Sequence, residues 1–277
     1  MSKKKTVLVV VAHADDLEFM AAGTVARFAS EFDYPVYQYI LTDNSRGSLR
    51  LGAEELIEIS AEEAHAAGRI LGLREVRLEG YSDGFLSDVP FNEIRGKIME
   101  VIREVGADII MSWDPFAPYE EHPDHRVTAM AAYEAAAFAR YPLFHPEQPF
   151  APYPVTEAFW FAKHPRNAAC YVDIAATLDT KIKALLTHEC QMDLTVDMLV
   201  QEAHTLEIAI PGLDQALTQG HDALIEDAIR KHAARVAEPS PYAVAERFRY
   251  QNLSALDRFL DLSTVKPDFP LADSTPS

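Results

Sequence analysis

The chain is poor in cysteine, poor in positive charge and free of long apolar runs. Its 277 residues include only two cysteines, Cys170 and Cys190. That number and spacing suit neither a disulfide framework nor a cysteine-based zinc site, so a reducing compartment, the cytoplasm, is the expected location. Lysine and arginine together number 25 against 43 acidic residues, a formal charge of −18. Nucleic acid and anionic membrane surfaces both require positive potential, so neither is an expected partner. No stretch of about 18 apolar residues is present, which excludes a membrane-spanning helix. After Lys3-Lys4-Lys5 the apolar run lasts only from Val7 to Ala12 before His13 and two aspartates intervene. That is too short and too soon charged for a secretory leader. Internal repeats and low-complexity segments are missing. So is the G-x-G-x-x-G loop, which weighs against a dinucleotide-binding protein.

What remains is rich enough to fold. Hydrophobic residues make up 48% of the chain and aromatics 10%, ample to offset chain entropy. The first half alternates strand and helix signals. Strands are expected over 6–12, 36–42, 75–78 and 108–112, and helices over 17–32, 53–73, 91–105 and 123–140. This order predicts an α/β fold: a Rossmann-like, mostly parallel sheet with helices on both faces. Further on, 156–162 and 170–174 read as strands, and 176–189 and 213–237 as helices, a helical C-terminal extension. One domain over 1–263 and a flexible tail over 264–277 are expected.

Two clusters carry chemistry. His13-Ala14-Asp15-Asp16 follows the first strand, and His122-Pro123-Asp124-His125 stands between the 108–112 strand and a helix. Ligands in open parallel sheets bind beyond the carboxyl ends of strands, so the two clusters can converge there. Taken singly, each has a plainer explanation, because aspartate is a strong helix N-cap and either histidine could serve a turn. Taken together they supply imidazole nitrogen and carboxylate oxygen, the donors zinc favours. His13, Asp16 and His125 would form a three-ligand catalytic site with open positions.

These motifs resemble those of the LmbE/PIG-L family of zinc-dependent N-deacetylases, A-H-P-D-D and H-P-D-H. Weaker similarity appears at Glu63, Ile70-Leu71-Gly72, Asp83-Gly84, Lys181 through His188 and Gln191, and Ala245 to Phe248, so the resemblance spans roughly residues 6–250. It implies zinc on His13, Asp16 and His125, with iron or cobalt as other divalent occupants. It implies Asp15 as general base toward the attacking water. It implies His122, as imidazolium, holding the oxyanion, Asp124 orienting and charging His122, and Asp83 in the substrate pocket. The implied reaction removes an acetyl group from an N-acetylated amino sugar or its conjugate. An amidase acting on a larger conjugate, as in the mycothiol branch, is the near alternative. A metal-bearing sugar- or metabolite-binding protein is the alternative from another class, and Asp15 speaks against it.

The sequence departs from the family at Ala14, where proline is usual, at Ser60 in place of an arginine, and in the loop 42–48, which lacks the glutamate of Gly-Glu-x-Gly. Arg46 and Arg50 in and after that loop are candidates to meet a polar part of the substrate, or are simply solvated. Trp113, Phe116 and Tyr119 offer an aromatic wall for a sugar ring, or ordinary loop packing. His188 suits a helix facing the site or a packing position. His145, His164, His204, His221 and His232 read as surface or structural. The amphipathic stretch 213–237 suits a core or subunit contact, and a homo-oligomer is expected.

Overall fold

Five consecutive aliphatic residues make β1 (Val7–Val11), and all five are buried. Alternation sends Val7, Val9 and Val11 into one core and Leu8 and Val10 into another. A strand covered on both faces belongs in the middle of a parallel sheet. The computed structural model, which describes residues 4–254, 256 and 272–273, places it there. The sheet order is β3-β2-β1-β4-β5-β7-β6-β8. Strands β2 (Val36–Thr42), β3 (Glu75–Tyr81), β4 (Ile109–Trp113) and β5 (Glu157–Phe161) join β1 in parallel ladders. The first core lies under α2 (Ala22–Ser30), α3 (Ala53–Leu71) and α6 (Leu178–Leu185), the second under α4 (Phe91–Val105) and α5 (Pro123–Phe138). The α/β expectation therefore holds, with helices on both faces.

The far edge turns antiparallel. Strand β7 (Ala245–Asn252) runs against β5 and β6 (Cys170–Asp173), and β8 (Ala272–Asp273) runs against β6. Strand β7 was not expected, because charged and polar residues interrupt its apolar ones. Two of its three charges have specific ion-pair partners. Glu246 accepts bonds from the Gly23 and Thr24 amides, the Thr24 hydroxyl and Lys181 Nζ, the last at 2.7 Å. Arg249 makes two 2.8 Å bonds to Asp114. Apart from β8, the expected tail over 264–277 lies outside the described residues.

Two expected helices are each split in two. The 17–32 stretch forms α1 (Asp16–Met20) and α2, separated at Ala21 with φ −146°. The break exposes the first amides of α2, and the Glu246 carboxylate takes them up. Gly23 is required there, because a Cβ would meet Ile174 at 2.7 Å. The 213–237 stretch forms α8 (Leu213–Gln219) and α9 (Asp222–Ala237), interrupted at Gly220, whose φ of +102° favours glycine. A helix absent from the sequence reading, α7 (Glu189–Leu206), precedes them. Its inward residues Met192, Val196 and Ala203 keep helical spacing among polar and β-branched neighbours that mute the signal.

Candidate active site

The sheet order reverses between β1 and β4, and the chain leaves these neighbours toward opposite sides. In such sheets that crevice is the place for a ligand. His13 to Asp16 follow β1, Asn44 and Arg46 follow β2, Asp83 follows β3, and His122 and His125 open α5 after β4. All of these line one cavity of about 860 Å³.

At its floor three donor atoms meet. His13 Nδ1 is 3.1 Å from His125 Nε2. Asp16 Oδ1 is 3.6 Å from His13 Nδ1 and 3.2 Å from His125 Nε2. Ligands on a tetrahedral ion with bonds near 2.1 Å stand about 3.4 Å apart, so the triangle has the size zinc needs. The outer contacts also fit. Asp16 Oδ2 is saturated by the amides of Ala12 and His13 and by Trp113 Nε1 at 2.8 Å, which leaves Oδ1 toward the triangle. His13 Nε2 lies 3.2 Å from Asp83, and His125 Nδ1 lies 3.0 Å from Glu120. Metal-binding imidazoles usually donate their second nitrogen to a carboxylate in this way. Wider groups around His13, with His122 and His125 or with Asp83 and Asp124, also bring ligand atoms together. The Asp16 set is the one whose two imidazoles each keep a carboxylate behind them.

These contacts set the charges. Burial lowers the His125 pKa, but Asp16 and Glu120 outweigh it and push it up to about 9. Burial likewise opposes protonation of His13, and bonds to Asp124, Asp16 and Asp83 hold it well above the usual value. Burial raises the Glu120 carboxyl, yet the His125 bond and the His122 amide bring it down to about 2. In the protein without metal, the imidazoles are therefore the proton carriers of this site.

Asp15 stands at the N-cap of α1, yet its carboxylate makes no capping bond. It lines the cavity instead. Burial, then the charge of Asp16, raises its pKa above the ordinary carboxylate range, a direction that suits a proton acceptor working near neutrality. His122 does cap α5, with Nδ1 accepting from the Asp124 amide at 3.3 Å. That bond puts the proton of the neutral ring on Nε2.

The expectation that Asp124 charges His122 needs correction. Burial and the neighbouring His13 and His125 lower the His122 pKa, and Asp124 only partly offsets them. The Asp124 carboxylate is committed elsewhere, accepting from the Gly84 and Leu86 amides at 2.6 and 3.1 Å and lying 3.7 Å from His13 Nε2. Its side chain thus steadies His13 and the loop that holds Asp83. Asp83 itself faces His13 and accepts from the Arg46 amide.

Arg46 lines the cavity, stacked on Phe85 and bonded to the Asp83 carbonyl. Arg50 does not. Asp193 and Asp197 on α7 take its guanidinium at 2.6–2.8 Å, so it ties the loop to that helix. The aromatic wall reduces to Trp113, which stacks on His125 with ring centres 3.9 Å apart. Phe116 packs on Tyr133 and Arg249, and Tyr119 is 76% exposed. His188 is fully buried, 3.5 Å from Glu18, and its positive charge would lower the Asp15 pKa. His232, read as structural, lines the cavity from α9. Reasoning from sequence missed Glu120 and Asn44. The only signal for Glu120 was an acid two residues before the H-P-D-H motif. Asn44 holds the Ala14 amide through Oδ1, while its buried Nδ2 has no partner among the described residues.

The chain has relatives among known proteins. The profile of the family described as PIG-L, GlcNAc-PI de-N-acetylase, matches residues 8–136. The chain is 31% identical over 193 residues to a diacetylchitobiose deacetylase of Thermococcus kodakarensis, covering 68% of this chain and 70% of that one. It is 30% identical over 142 residues to a probable N-acetyl-alpha-D-glucosaminyl L-malate deacetylase 2 of Bacillus anthracis, covering 50% of this chain and 62% of that one. Among solved structures, the N,N'-diacetylchitobiose deacetylase from Pyrococcus horikoshii superposes with a TM-score of 0.72 at 24% identity. The match covers 95% of this chain and 89% of that one, a likeness of fold.

Proposed function

The chain belongs to the PIG-L family, and from that premise we propose that it is a metal-dependent hydrolase removing the acetyl group from an N-acetylated amino sugar or a conjugate of one. The observation that carries the reading is the triangle of His13 Nδ1, Asp16 Oδ1 and His125 Nε2 beside an Asp15 carboxylate that makes no capping bond and lines the cavity. Two imidazoles and one carboxylate are a zinc-type donor set, and zinc is the metal proposed. When bound, it supplies polarisation of the amide oxygen and acidification of the attacking water.

The protein's own groups do the rest. Asp15 accepts the proton of the water as it adds to the amide carbon, and later gives that proton to the departing nitrogen, so the products are acetate and a free amine. His122, neutral with its proton on Nε2, donates to the oxygen that gains charge. Asp124 and Asp83 hold His13, and Glu120 holds His125. Arg46 and the unpartnered Asn44 Nδ2 are the groups proposed to meet sugar hydroxyls.

The test is a screen of N-acetylglucosamine, diacetylchitobiose and larger N-acetylated conjugates for released acetate and free amine. Release from at least one is expected. A protein that holds metal and releases acetate from none would overturn the reading. The chain has only two cysteines, too few for a disulfide framework, and the cytoplasm is the location proposed. No described helix is long and apolar enough to cross a membrane. A homo-oligomer is proposed on the exposed run Tyr141, Leu143 and Phe144, and light scattering tests it.

A further inference from the structure

The cavity has two kinds of lining. Asn44, Arg46, Asp83 and Gln191 line it with polar groups, whereas Phe19, Met20, Leu194, Met198, Ala228 and Ile229 line it with apolar ones. We propose that this apolar lining is a second subsite, and that it takes an alkyl or aryl substituent carried by the N-acylated amino sugar. The proposal rests on the deacetylase reading above and deepens it.

Four observations lead there. The volume of about 860 Å³ lies near the upper end of the roughly 300–1,000 Å³ found for whole drug-sized ligands, more than a single pyranose with its acetamido group fills. None of the six side chains can donate or accept a conventional hydrogen bond, so sugar hydroxyls laid against them would lose water and gain nothing. The apolar lining also adjoins the chemistry. Phe19 and Met20 each lie four residues after Asp15 and Asp16 on the same short helix, hence on the face that carries the base and the ligand. Two of the six are methionines, flexible enough to fit an irregular apolar group, and Met198 is left 49% exposed.

The subsite draws on both halves of the chain. Phe19 and Met20 come from α1, within the residues 8–136 that carry the family match, while Leu194 and Met198 come from α7 and Ala228 and Ile229 from α9, beyond them. Lys163, His232 and Arg235 line the same cavity, and Lys163 and His232 stand beside Phe19, Met20 and Ile229. Lys163 is already paired with Glu120 and Glu121.

The substituent can be attached in two places, at the anomeric oxygen or as a longer N-acyl chain, and one experiment separates them. Values of kcat/KM are compared for N-acetylglucosamine, its hexyl β-glycoside and N-hexanoylglucosamine. At least one substituted compound is expected to exceed the parent by about tenfold or more, as burial of a short alkyl chain implies, and the one that does identifies the attachment point. In Met198→Asp and Leu194→Asp, folded by circular dichroism, that ratio is expected to fall toward one. Wild-type ratios within twofold of unity for both compounds, or ratios unmoved in both variants, would overturn the subsite. Hexyl β-glucoside, which has no amide, separates this failure from failure of the deacetylase reading. Calorimetric binding to the wild type, weakened about tenfold or more in Leu194→Asp, supports the subsite even if no acetate is ever released. Absence of binding overturns it even if acetate is.

Discussion

Asp15 and Asp16 are adjacent in the chain and opposite in circumstance. Asp16 gives one oxygen to two amides and an indole and the other to two imidazoles, whereas the Asp15 carboxylate makes no capping bond and faces the cavity. Replacing Asp15 by asparagine is therefore expected to leave metal stoichiometry near the wild-type value while lowering kcat by about 10²–10⁴. Metal analysis and acetate release on the same sample check both halves. The imidazoles give a pH dependence with a definite sign. His125, at about 9, and His13, held well above its usual value, face each other at 3.1 Å, a contact in which one nitrogen must accept, so the pair holds a shared proton at neutrality in the metal-free protein. Metal must displace this proton, so affinity weakens as pH falls and rises by about tenfold per pH unit for each proton released. Chelator competition between pH 6 and 8 measures the slope, and a flat profile would contradict it. Glu120→Gln removes the carboxylate behind His125 and is expected to weaken metal binding about 10–100-fold. The metal and proton-transfer residues named from sequence lie within four positions of one another in two motifs, which is why they were legible. Their supports were not. Trp113 reaches Asp16 across 97 positions and Asn44 reaches Ala14 across 30, and only the fold brings such pairs together.

Among the elements, the buried group of Glu246, Lys181 and the start of α2 deserves a measurement. Removing one partner of a buried ion pair costs about 3–5 kcal/mol, because the other charge is left without compensation. Glu246→Ala is expected to destabilise the protein by that amount, read as a lowered urea midpoint. A change below about 1 kcal/mol would mean that Lys181 finds another partner. The same group explains where sequence reading stopped. Strand β1 is aliphatic throughout and β2 and β4 are mostly apolar, and burial on both faces made them plain. Strand β7 reads as charged because its specific partners, Glu246 to α2 and Arg249 to Asp114, lie far away in sequence. The break at Ala21 was hidden for the same reason: the acceptor that stabilises it is on β7.

At the scale of the molecule, metal and fold are separable. Two apolar cores cover the faces of the sheet, and the proposed ligands sit beyond the carboxyl ends of its central strands β1 and β4, already held by carboxylates, amides and an indole. Chelation is accordingly expected to abolish acetate release while leaving the far-UV circular dichroism spectrum unchanged. A loss of helical signal on chelation would show that the ion is structural. The charge of −18 describes the molecule as a whole, but the inner surface of the cavity is set by a few residues that bulk charge does not describe. Histidines, Arg46 and an apolar lining coexist there with acids committed to specific contacts.

Strand β7 has one more consequence, for the order of events during synthesis. Every residue assigned to metal or proton chemistry is translated by His125, yet the strand that sits between β5 and β6, and whose Glu246 caps α2, begins only at Ala245. On the ribosome the nascent chain thus holds its complete set of reactive side chains well before the helix behind them can be seated. Competence arrives late and all at once, when the C-terminal strand clears the exit tunnel. A chain ending at residue 240 retains His13, Asp15, Asp16, His122 and His125, and it is expected to be inactive.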